Sequence, residues 1–348
     1  MTDPIGLALK RVMEPTLVKD SNTVETPTHD LWVEAGRRGH YQDIGGGEEA
    51  DIVRELKSAP WRDVVGKRYG ELRPWLHSII TDRDRSAFLE ILPLKEGGRF
   101  LDVGSGWGQI AVPLARHGSV FCLDLTMNRL DILREIARQE QASLKYICGN
   151  FRSFPFAERQ FDAIIFNGSL EYMAMGTEET SIRDIHRAVL EKARMLLTEQ
   201  GLIYLGIENA LGLKYVLGAP DDHTNMSHLM YLDEAEASVR YSRAHDGTAL
   251  RMKTWSLQEY RELFTLAGLR IETIYGCFPD YKLIRRMIPL QEVNQLLATE
   301  GVAWPEHSGV DGSPLPQNNL LPSLYRRLAQ NGIAENFCPS YGFVARSA

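Results

Sequence analysis

The stretch of this sequence best suited to binding a ligand is residues 100–108. Asp102 ends a short apolar run, and Gly104, Gly106 and Gly108 follow it at alternate positions. Glycines accept a positive φ and let a ligand approach the backbone without meeting a Cβ atom. A turn of this kind after a strand, with a helix behind it, is where open α/β sheets bind nucleotide-like ligands. The stretch therefore predicts a strand, a tight turn and a helix start that together hold such a ligand.

The position of the acid within the turn narrows the choice of ligand. A dinucleotide-binding turn has the pattern G-x-G-x-x-G with an acid about 20 residues further on. Gly104, Gly106 and Asp124 fit that pattern, but its third glycine would fall on Gln109. Asp102 would also stand close to an anionic pyrophosphate, which is electrostatically unfavourable. The turn therefore favours a ligand that is cationic and has no phosphate.

Candidate catalytic residues follow the predicted fourth strand and lie in a later polar loop. Glu171 and Tyr172 come after the apolar run 161–166, and His223 lies in the polar loop 219–225. Histidine titrates in the range that suits a general base. A surface or interdomain histidine is the alternative interpretation of His223. We predict catalytic roles for all three residues.

Polar residues after the predicted fifth and sixth strands are candidates for binding the substrate. Glu208 and Asn209 follow the fifth strand, and Asp222 precedes the candidate base. Asp280 and Tyr281 open the segment after the sixth strand, where a tight turn is the alternative interpretation. We expect these five residues to contact the substrate.

A metal site is the third kind of chemistry to consider. His223 and His228 lie close in sequence to Asp221 and Asp222, and all four are metal-ligating residue types. Their spacing fits no established metal signature. We predict no metal.

The elements that position these residues follow from hydrophobic periodicity. Residues 48–92 show a helical pattern broken by Pro60 and Pro74, while residues 1 to about 50 have no regular pattern. From residue 98 onward, apolar runs typical of strands alternate with helical patterns. The predicted strands are 99–103, 120–125, 144–148, 161–166, 201–207, 269–275 and 341–346. This alternation predicts an α/β fold with a doubly wound, mostly parallel sheet.

Two domains are expected. Residues 1–92 would form an N-terminal arm and a helical cap, and residues 93–348 would form the ligand-binding domain. Two insertions interrupt the second domain, at about 208–254 and 276–339. A capping box at 256–259 predicts the start of a helix between the two insertions.

Composition excludes several classes of protein. Hydrophobic residues make up 44% of 348 residues and charged residues 24%, which suits a folded chain with a sizeable core. The net charge is −7 and no basic stripe is present, so we expect no nucleic-acid partner. No apolar stretch is long enough to span a membrane, and the first residues lack the pattern of a signal peptide. The four cysteines form no CxxC pair, and we expect them to be reduced in a cytoplasmic protein.

The motifs from residue 100 to residue 208 resemble those of the class I S-adenosylmethionine-dependent methyltransferases. Residues 102–108 match D-x-G-x-G-x-G, Asp124 matches the acid that ends the second strand, and residues 161–172 match the fourth strand and its loop. Asn150 departs from the family's pattern, which usually has Asp there, but its amide oxygen can still accept a hydrogen bond. The resemblance implies a Rossmann-like sheet of seven strands whose last strand is antiparallel and lies between strands five and six.

The resemblance also implies how the cofactor would be held. Asp102 would bind the cationic amine, Asp124 the ribose hydroxyls and Asn150 the adenine amine. The residues implied to contact S-adenosyl-L-methionine are Asp102, Gly104, Ser105, Gly106, Gly108, Asp124, Leu125, Asn150, Phe151 and Asn167.

The expected function is methyl transfer to a small molecule or glycan precursor, at a hydroxyl oxygen. A fainter similarity at 208–215 and 278–282 to a bacterial subgroup that acts on surface polysaccharides and secondary-metabolite sugars favours that acceptor. Methyl transfer to nitrogen or carbon of a metabolite is one alternative. A non-catalytic methyltransferase-like scaffold is another, and an oxidoreductase on the same fold is disfavoured by Asp102 and Gln109. The sequence leaves the oligomeric state open, with a homodimer as one option.

Overall fold

A computed structural model describes residues 24–34, 46–177, 181–302, 306–308 and 313–348. In these ranges the strands are β1 Val24–Thr28, β2 Leu31–Glu34, β3 Gly98–Val103, β4 Gly118–Asp124, β5 Leu144–Cys148, β6 Phe161–Asn167, β7 Leu197–Glu208, β8 Leu269–Pro279, β9 Ile284–Pro289, β10 His307–Ser308, β11 Ser313–Pro314 and β12 Ser340–Ser347.

The α-helices of the described residues alternate with the strands in the middle of the chain. They are α1 Gly46–Leu56, α2 Trp61–Tyr69, α3 Pro74–Thr81, α4 Ala111–Leu114, α5 Met127–Gln139, α6 Ile182–Leu196, α7 Leu213–Val216, α8 Glu234–Ala244, α9 Leu257–Leu266, α10 Leu290–Thr299 and α11 Leu321–Gln330. Three 3₁₀-helices span Arg83–Ile91, Leu170–Tyr172 and Ala334–Phe337.

The chain divides into two compact units. The first contains residues 1–61, 93–165 and 195–202, and the second contains residues 62–92, 166–194 and 203–348. Strands β6 and β7 each begin in the first unit and end in the second. The contacts group residues 62–92 with the second unit. The predicted division of the chain into domains at residue 92 stays a prediction.

The first unit is built on a parallel sheet. Its strand order is β1-β2-β5-β4-β3-β6, followed by the first half of β7. Strands β2, β5, β4 and β3 pair in parallel, with Asp102 of β3 opposite Cys122 and Asp124 of β4 opposite Cys148. Phe100, Leu101 and Phe121 are fully buried, as expected for parallel strands whose two faces are both covered. The predicted α/β architecture is confirmed.

The hairpin of β1 and β2 was not expected from the sequence. Residues up to about 50 were predicted to be irregular, and of these 1–23 and 35–45 lie outside the described residues. Strand β1 is short, carries Pro27 and is mostly exposed, so it gives no alternating buried pattern to recognise. Leu31 and Trp32 of β2 are buried because β2 pairs with β5. The hairpin brings Glu34 to the carboxyl end of β5.

Helices of the first unit pack through apolar faces and a few side-chain caps. Leu130, Leu133 and Ala137 lie on one face of α5 and are buried. Trp61 donates its backbone N–H to Gln139 and its indole N–H to Glu140, at 2.7 and 2.6 Å. The helix after the glycine turn, α4, has only four residues. Its dipole is therefore a weaker aid to ligand binding than that of a longer helix.

The second unit carries the antiparallel part of the sheet. The second half of β7 is followed by β12, β8 and β9. Strand β12 is antiparallel to both neighbours, with Tyr341 opposite Ile207 on one side and Gly276 on the other. This confirms the predicted position of the last strand. Together with β1 and β2, strand β9 adds to the seven strands that were predicted.

Helices of the second unit include most of those expected from periodicity. The capping box is present, since Ser256 and Glu259 each accept from the other's backbone N–H. Helices α10 and α11 lie within the second predicted insertion, 276–339. Helices α2 and α3 and the following 3₁₀-helix confirm the helical reading of residues 48–92, while the closing of this segment over a ligand stays a prediction.

Candidate functional site

The glycine turn has the backbone that the sequence predicted. Gly104, Gly106 and Gly108 have φ values of +80°, +51° and +90°, which side-chain-bearing residues rarely adopt. A Cβ atom at Gly106 would meet nothing closer than the Gln109 Oε1 atom at 3.7 Å, whereas one at Gly108 would lie 2.1 Å from the Leu133 Cδ1 atom. Gly106 therefore leaves open space beside the backbone, and Gly108 is needed for packing against α5.

Asp102 is the buried acid of this turn. It lies in β3 with only 2% of its surface exposed. The hydroxyl of Ser105 donates to the backbone carbonyl of Asp102 at 2.8 Å. Ser105 therefore has a structural role in the turn, and its contact with a cofactor stays a prediction.

Asp124 is the last residue of β4, and four donors surround its carboxyl group. Its Oδ2 accepts from the Gly106 N–H at 3.1 Å, and its Oδ1 accepts from the Thr126 N–H at 3.1 Å and the Thr126 hydroxyl at 3.3 Å. The backbone N–H of Leu125 also favours the ionised form. Burial nevertheless raises the pKa of Asp124 to about 6. Asp124 thus caps the start of α5 and at the same time ties β4 to the glycine turn.

A third buried acid in this unit was missed by the sequence analysis. Glu49 of α1 is 4% exposed, and its Oε1 lies 3.1 Å from Nε of Arg129. Burial, and then the charges of Asp124 and Glu48, raise the pKa of Glu49 to about 7. In the sequence Glu49 resembles any acid in the first turn of an exposed helix, so only packing of α1 against α5 distinguishes it.

Asn150 uses its amide oxygen within its own turn, and its predicted contact with the adenine amine stays a prediction. The Oδ1 atom accepts from the Arg152 N–H at 2.9 Å, which closes a turn within the chain. The backbone N–H of Asn150 donates to Oε2 of Glu34 at 2.8 Å. Phe151 is 1% exposed and packs near Phe156. The bond from Arg152 shows that Asn150 also acts as a turn residue.

Asn167, the last residue of β6, lies in the second unit among buried polar groups. Its side-chain oxygen and nitrogen have no hydrogen-bond partner in the described part of the chain. Arg85 donates to the backbone carbonyl of Asn167 at 3.4 Å. A Cβ atom at Gly206 would lie 2.2 Å from the Asn167 Oδ1 atom, so Gly206 makes room for this side chain. The predicted cofactor contact of Asn167 stays a prediction.

The second unit also brings together seven ionisable side chains that we call the acid–base cluster. Its members come from the 3₁₀-helix after β6, the end of β7, helix α7, the loop after α7 and the connection between β8 and β9. They are Glu171, Glu208, Lys214, Asp221, Asp222, His223 and Lys282.

His223 lies at the centre of the acid–base cluster. Its Nδ1 atom is 2.9 Å from Oδ1 of Asp221, and its Nε2 atom is 3.5 Å from Oε1 of Glu171 and 4.0 Å from Oε2 of Glu208. Burial disfavours the charged ring, but the charges of Asp221 and Glu208, with hydrogen bonds to Asp221 and Glu171, outweigh it. The pKa of His223 is therefore raised well above its ordinary value. This direction favours the imidazolium form of the ring.

Glu171 is fully buried beside this imidazolium. Neither carboxyl oxygen has a hydrogen bond of good geometry to any described residue, because the Nε2 atom of His223 is 3.5 Å away. Burial, supported by the charge of Glu208, raises the pKa of Glu171 even though His223 acts in the opposite direction. Glu171 is thus a more basic carboxylate than usual with acceptor capacity to spare.

Two lysines balance the other acids of the cluster. The Nζ atom of Lys282 lies 2.6 Å from Glu208 Oε1 and 2.7 Å from Asp222 Oδ2, and the Nζ atom of Lys214 lies 3.2 Å from Asp222 Oδ2. Burial opposes ionisation of Asp222 and Glu208, but these ammonium groups outweigh it and lower both pKa values. The sequence analysis included neither lysine, although Lys214 and Lys282 stand in the two stretches that it singled out.

The remaining predicted site residues have mixed placements. The ring of Tyr172 lies edge-on to the His223 ring with centroids 5.3 Å apart, so these two residues are brought together. Asn209 donates from Nδ2 to the carbonyls of Asn336 and Cys338, and its Oδ1 accepts from the Leu211 N–H. This use of the amide favours a structural role for Asn209.

Asp280 and Tyr281 are both buried. Oδ1 of Asp280 accepts from the N–H groups of Lys282 and Leu283 at 2.6 and 3.0 Å, which is the tight turn that was the alternative interpretation. A Cβ atom at Gly168 would lie 2.3 Å from the Tyr281 hydroxyl. The turn at Asp280 directs Lys282 into the acid–base cluster, while substrate contacts of both residues stay predictions.

Three members of the cluster also form a possible set of metal ligands. Glu171, Glu208 and His223 each offer one ligand atom, and these atoms lie within 4.8 Å of one another. Lys282 already neutralises Glu208, and the raised pKa of His223 disfavours the neutral ring that a metal needs. The expectation of no metal stays a prediction.

The chain is similar to known methyltransferases over part of its length. Residues 100–193 match the sequence profile of a methyltransferase domain. The chain is 26% identical over 200 residues to a protein of Geobacillus sp. (strain WCH70) named for an inferred methyltransferase activity, covering 52% of this chain and 78% of that protein.

One further relative matches a shorter stretch of the sequence, and one solved structure was superposed on the chain. The chain is 29% identical over 105 residues to the ubiquinone biosynthesis O-methyltransferase of Coxiella burnetii, covering 30% of this chain and 44% of that enzyme. The methyltransferase CcbJ from Streptomyces caelestis superposes with a TM-score of 0.45 at 16% identity, covering 76% of this chain and 94% of CcbJ. In the described ranges, no helix combines the length and apolar character needed to cross a bilayer.

Proposed function

We propose that this chain, whose residues 100–193 form a class I S-adenosylmethionine-dependent methyltransferase domain, transfers a methyl group to a hydroxyl oxygen. The proposed acceptor is a small molecule or a glycan precursor. The observation that carries the proposal is the buried carboxyl group of Glu171, which has spare acceptor capacity beside the Asp221–His223 pair. A hydroxyl group is a weak nucleophile, and a positioned base that takes its proton suits this chemistry.

The residues of the first unit fit S-adenosylmethionine. The open space beside Gly106 admits a ligand against the backbone, and two buried carboxyl groups, those of Asp102 and Asp124, lie in the turn and at the end of the neighbouring strand. No basic side chain stands in the turn to receive a phosphate. When bound, the cofactor supplies an electrophilic methyl group on a sulfonium sulfur. The chain itself must hold the acceptor in line and exclude water.

We assign the proton transfer to Glu171. Glu171 would take the proton of the acceptor hydroxyl, while the bound cofactor would supply the methyl group and leave as S-adenosylhomocysteine. Its raised pKa brings this carboxylate closer to the operating pH, which is where a general base is most efficient. After product release the proton returns to solvent.

In this mechanism, His223 acts through the effect of its charge on Glu171. An imidazolium cannot accept a second proton, so the raised pKa of His223 argues against the role of primary base that its residue type suggested. Its positive charge instead favours the ionised form of Glu171. Asp221 fixes the ring through Nδ1, so that Nε2 faces the carboxylate of Glu171. The edge of Tyr172 packs against the same ring.

An acceptor screen tests the proposal. The purified chain is incubated with S-adenosylmethionine and a panel of sugars, polyols, phenols and amines, and release of S-adenosylhomocysteine is measured. We expect turnover with hydroxyl acceptors that falls in the Glu171→Gln variant and not in the His228→Ala variant, because His228 is exposed and is not a member of the acid–base cluster. Turnover with amines alone would contradict the hydroxyl acceptor. Cofactor binding without turnover on any class would favour a scaffold.

The proposal also covers the compartment in which the protein works. We expect the protein to work in the cytoplasm without nucleic acid. The four cysteines are free thiols in the structure, which suits a reducing compartment.

A further inference from the structure

Glu34 contacts the turn 149–151 that follows strand β5. It is the last residue of β2, and its neighbour Val33 pairs with Cys148, the last residue of β5. Oε2 of Glu34 accepts from the Asn150 N–H at 2.8 Å. A Cβ atom at Gly149 would lie 3.1 Å from the same oxygen, so the absence of a side chain there lets the carboxyl group approach the backbone. The hairpin of β1 and β2 thus places a carboxylate on the turn 149–151.

The residue implied for adenine recognition is engaged elsewhere. The amide oxygen of Asn150 accepts the Arg152 N–H at 2.9 Å and closes the local turn. The exocyclic amine of adenine is a hydrogen-bond donor and needs an acceptor. A carboxylate has about four acceptor positions, and the bond from Asn150 uses one of those on Glu34. Beside the turn 149–151, the Glu34 carboxylate therefore has more free acceptor positions than the amide oxygen of Asn150.

We propose that Glu34 accepts a hydrogen bond from the exocyclic amine of the cofactor's adenine and makes the first unit selective for adenine. The inference rests on S-adenosylmethionine being the cofactor, and it adds a specificity-determining residue from outside the cofactor motifs. A carboxylate in this position attracts an amine and repels the oxo group that hypoxanthine carries at the same ring carbon.

The test compares two ligands that differ at that one position. Binding of S-adenosylhomocysteine and S-inosylhomocysteine is measured by calorimetry on the wild type, Glu34→Gln and Glu34→Ala. We expect the wild type to bind the adenine ligand at least about tenfold more tightly, since a hydrogen bond to a charged group contributes about 1.5–3 kcal/mol. In Glu34→Gln the preference should fall to about threefold or less, because the amide can donate to the oxo group.

Matched variants separate this role from a structural one. Glu25→Gln alters an exposed acid of β1 in the same hairpin and should keep the wild-type preference. Thermal melting of each variant shows whether the hairpin is intact, and Glu34→Gln retains the shape needed to accept from the Asn150 N–H. An unchanged preference in both Glu34 variants would overturn the inference. Loss of the preference in Asn150→Ala alone would return the role to Asn150.

The affinities of the wild type also test the assignment of the cofactor. If the wild type bound neither ligand, the assignment of S-adenosylmethionine would fail and the role of Glu34 with it. If the wild type bound both ligands equally, only the role of Glu34 would fail.

Discussion

The Nδ1 atom of His223 lies 2.9 Å from Oδ1 of Asp221, two residues before it in the chain. The Asp221 carboxyl group is itself held by the Thr224 N–H and hydroxyl, at 3.0 and 2.6 Å, and by the His223 N–H at 3.1 Å. A single tight loop therefore fixes both the orientation of the imidazole and its charge. The ring can rotate only if this network breaks, so Nε2 stays directed at Glu171.

Glu171→Gln should lower kcat by roughly 10²–10⁴-fold, the usual contribution of a general base. The glutamine keeps the shape of the side chain but cannot take a proton. In the wild type, turnover should fall as pH falls through the pKa of Glu171, which lies above its ordinary value. Steady-state kinetics over pH 5–9 measures both effects. The exposed-helix variant Glu236→Gln is the control, and an unchanged kcat in Glu171→Gln would remove the residue from the mechanism.

His223→Ala should lower turnover while cofactor binding is kept. The loss of the imidazolium leaves Glu171, Glu208 and Asp221 with less compensation, so their pKa values rise and the ionised base is depleted. The pH–rate profile should shift to higher pH, which a merely structural defect would not produce. Wild-type turnover in this variant across the working pH range would exclude His223 from the mechanism.

The contribution of His223 to folding stability should depend on pH. Its pKa in the folded chain is raised above the unfolded value of about 6.5. The stabilisation is therefore fully present below pH 6.5 and is lost as pH rises through the folded pKa. We expect the difference in free energy of unfolding between wild type and His223→Gln to be largest near pH 6 and to shrink towards pH 10. Denaturant titrations at several pH values measure it, and a difference that grew with pH would contradict the assigned charge.

Asp124→Ala should weaken binding of S-adenosylhomocysteine much more than His223→Ala does. Asp124 holds the glycine turn through Gly106 and offers the carboxylate expected to bind the ribose. Isothermal calorimetry gives the two affinities. Asp131→Ala, on a partly exposed position of α5, is the control. Equal losses in Asp124→Ala and Asp131→Ala would show that the carboxylate at the end of β4 has no special part in cofactor binding.

Gly106→Ala and Gly108→Ala should separate binding from folding. An alanine at Gly108 brings a Cβ atom to 2.1 Å from Leu133 and also strains a φ of +90°, so we expect a loss of roughly 2 kcal/mol or more of stability. At Gly106 the added atom enters open space with a φ of +51°. That variant should fold and lose cofactor affinity. Chemical denaturation measures the stability of both variants, and calorimetry measures their affinity for the cofactor. Equal changes in the two variants would contradict the separation of binding from folding.

Treatment with EDTA should leave turnover unchanged. Lys282 already neutralises Glu208 at 2.6 Å, so this carboxylate needs no divalent cation to compensate its charge. Turnover is measured before and after chelation and again after addition of Mg²⁺ or Mn²⁺. A loss that these ions restore would identify Glu171, Glu208 and His223 as ligands.

The cofactor half of the molecule was largely determined by the sequence itself. Asp102, the three alternate glycines and Asp124 lie within 25 residues of one another, and local backbone preferences together with strand alternation fix their relative placement. Such features are encoded in short-range pattern, because glycine conformation and hydrophobic periodicity act over a few residues. The antiparallel last strand followed from the resemblance and was confirmed.

Only the tertiary structure decided which acids and bases meet. Glu171, Glu208, His223 and Lys282 are separated by up to 111 residues, and no local pattern brings them together. Their pKa values depend on burial and on the distances between their charged atoms, which exist only in the folded chain. The same holds for Glu34 and Glu49, which in the sequence are unremarked acids near the N-terminus. Packing of β2 on β5 and of α1 on α5 places them beside the turn 149–151 and Asp124 respectively.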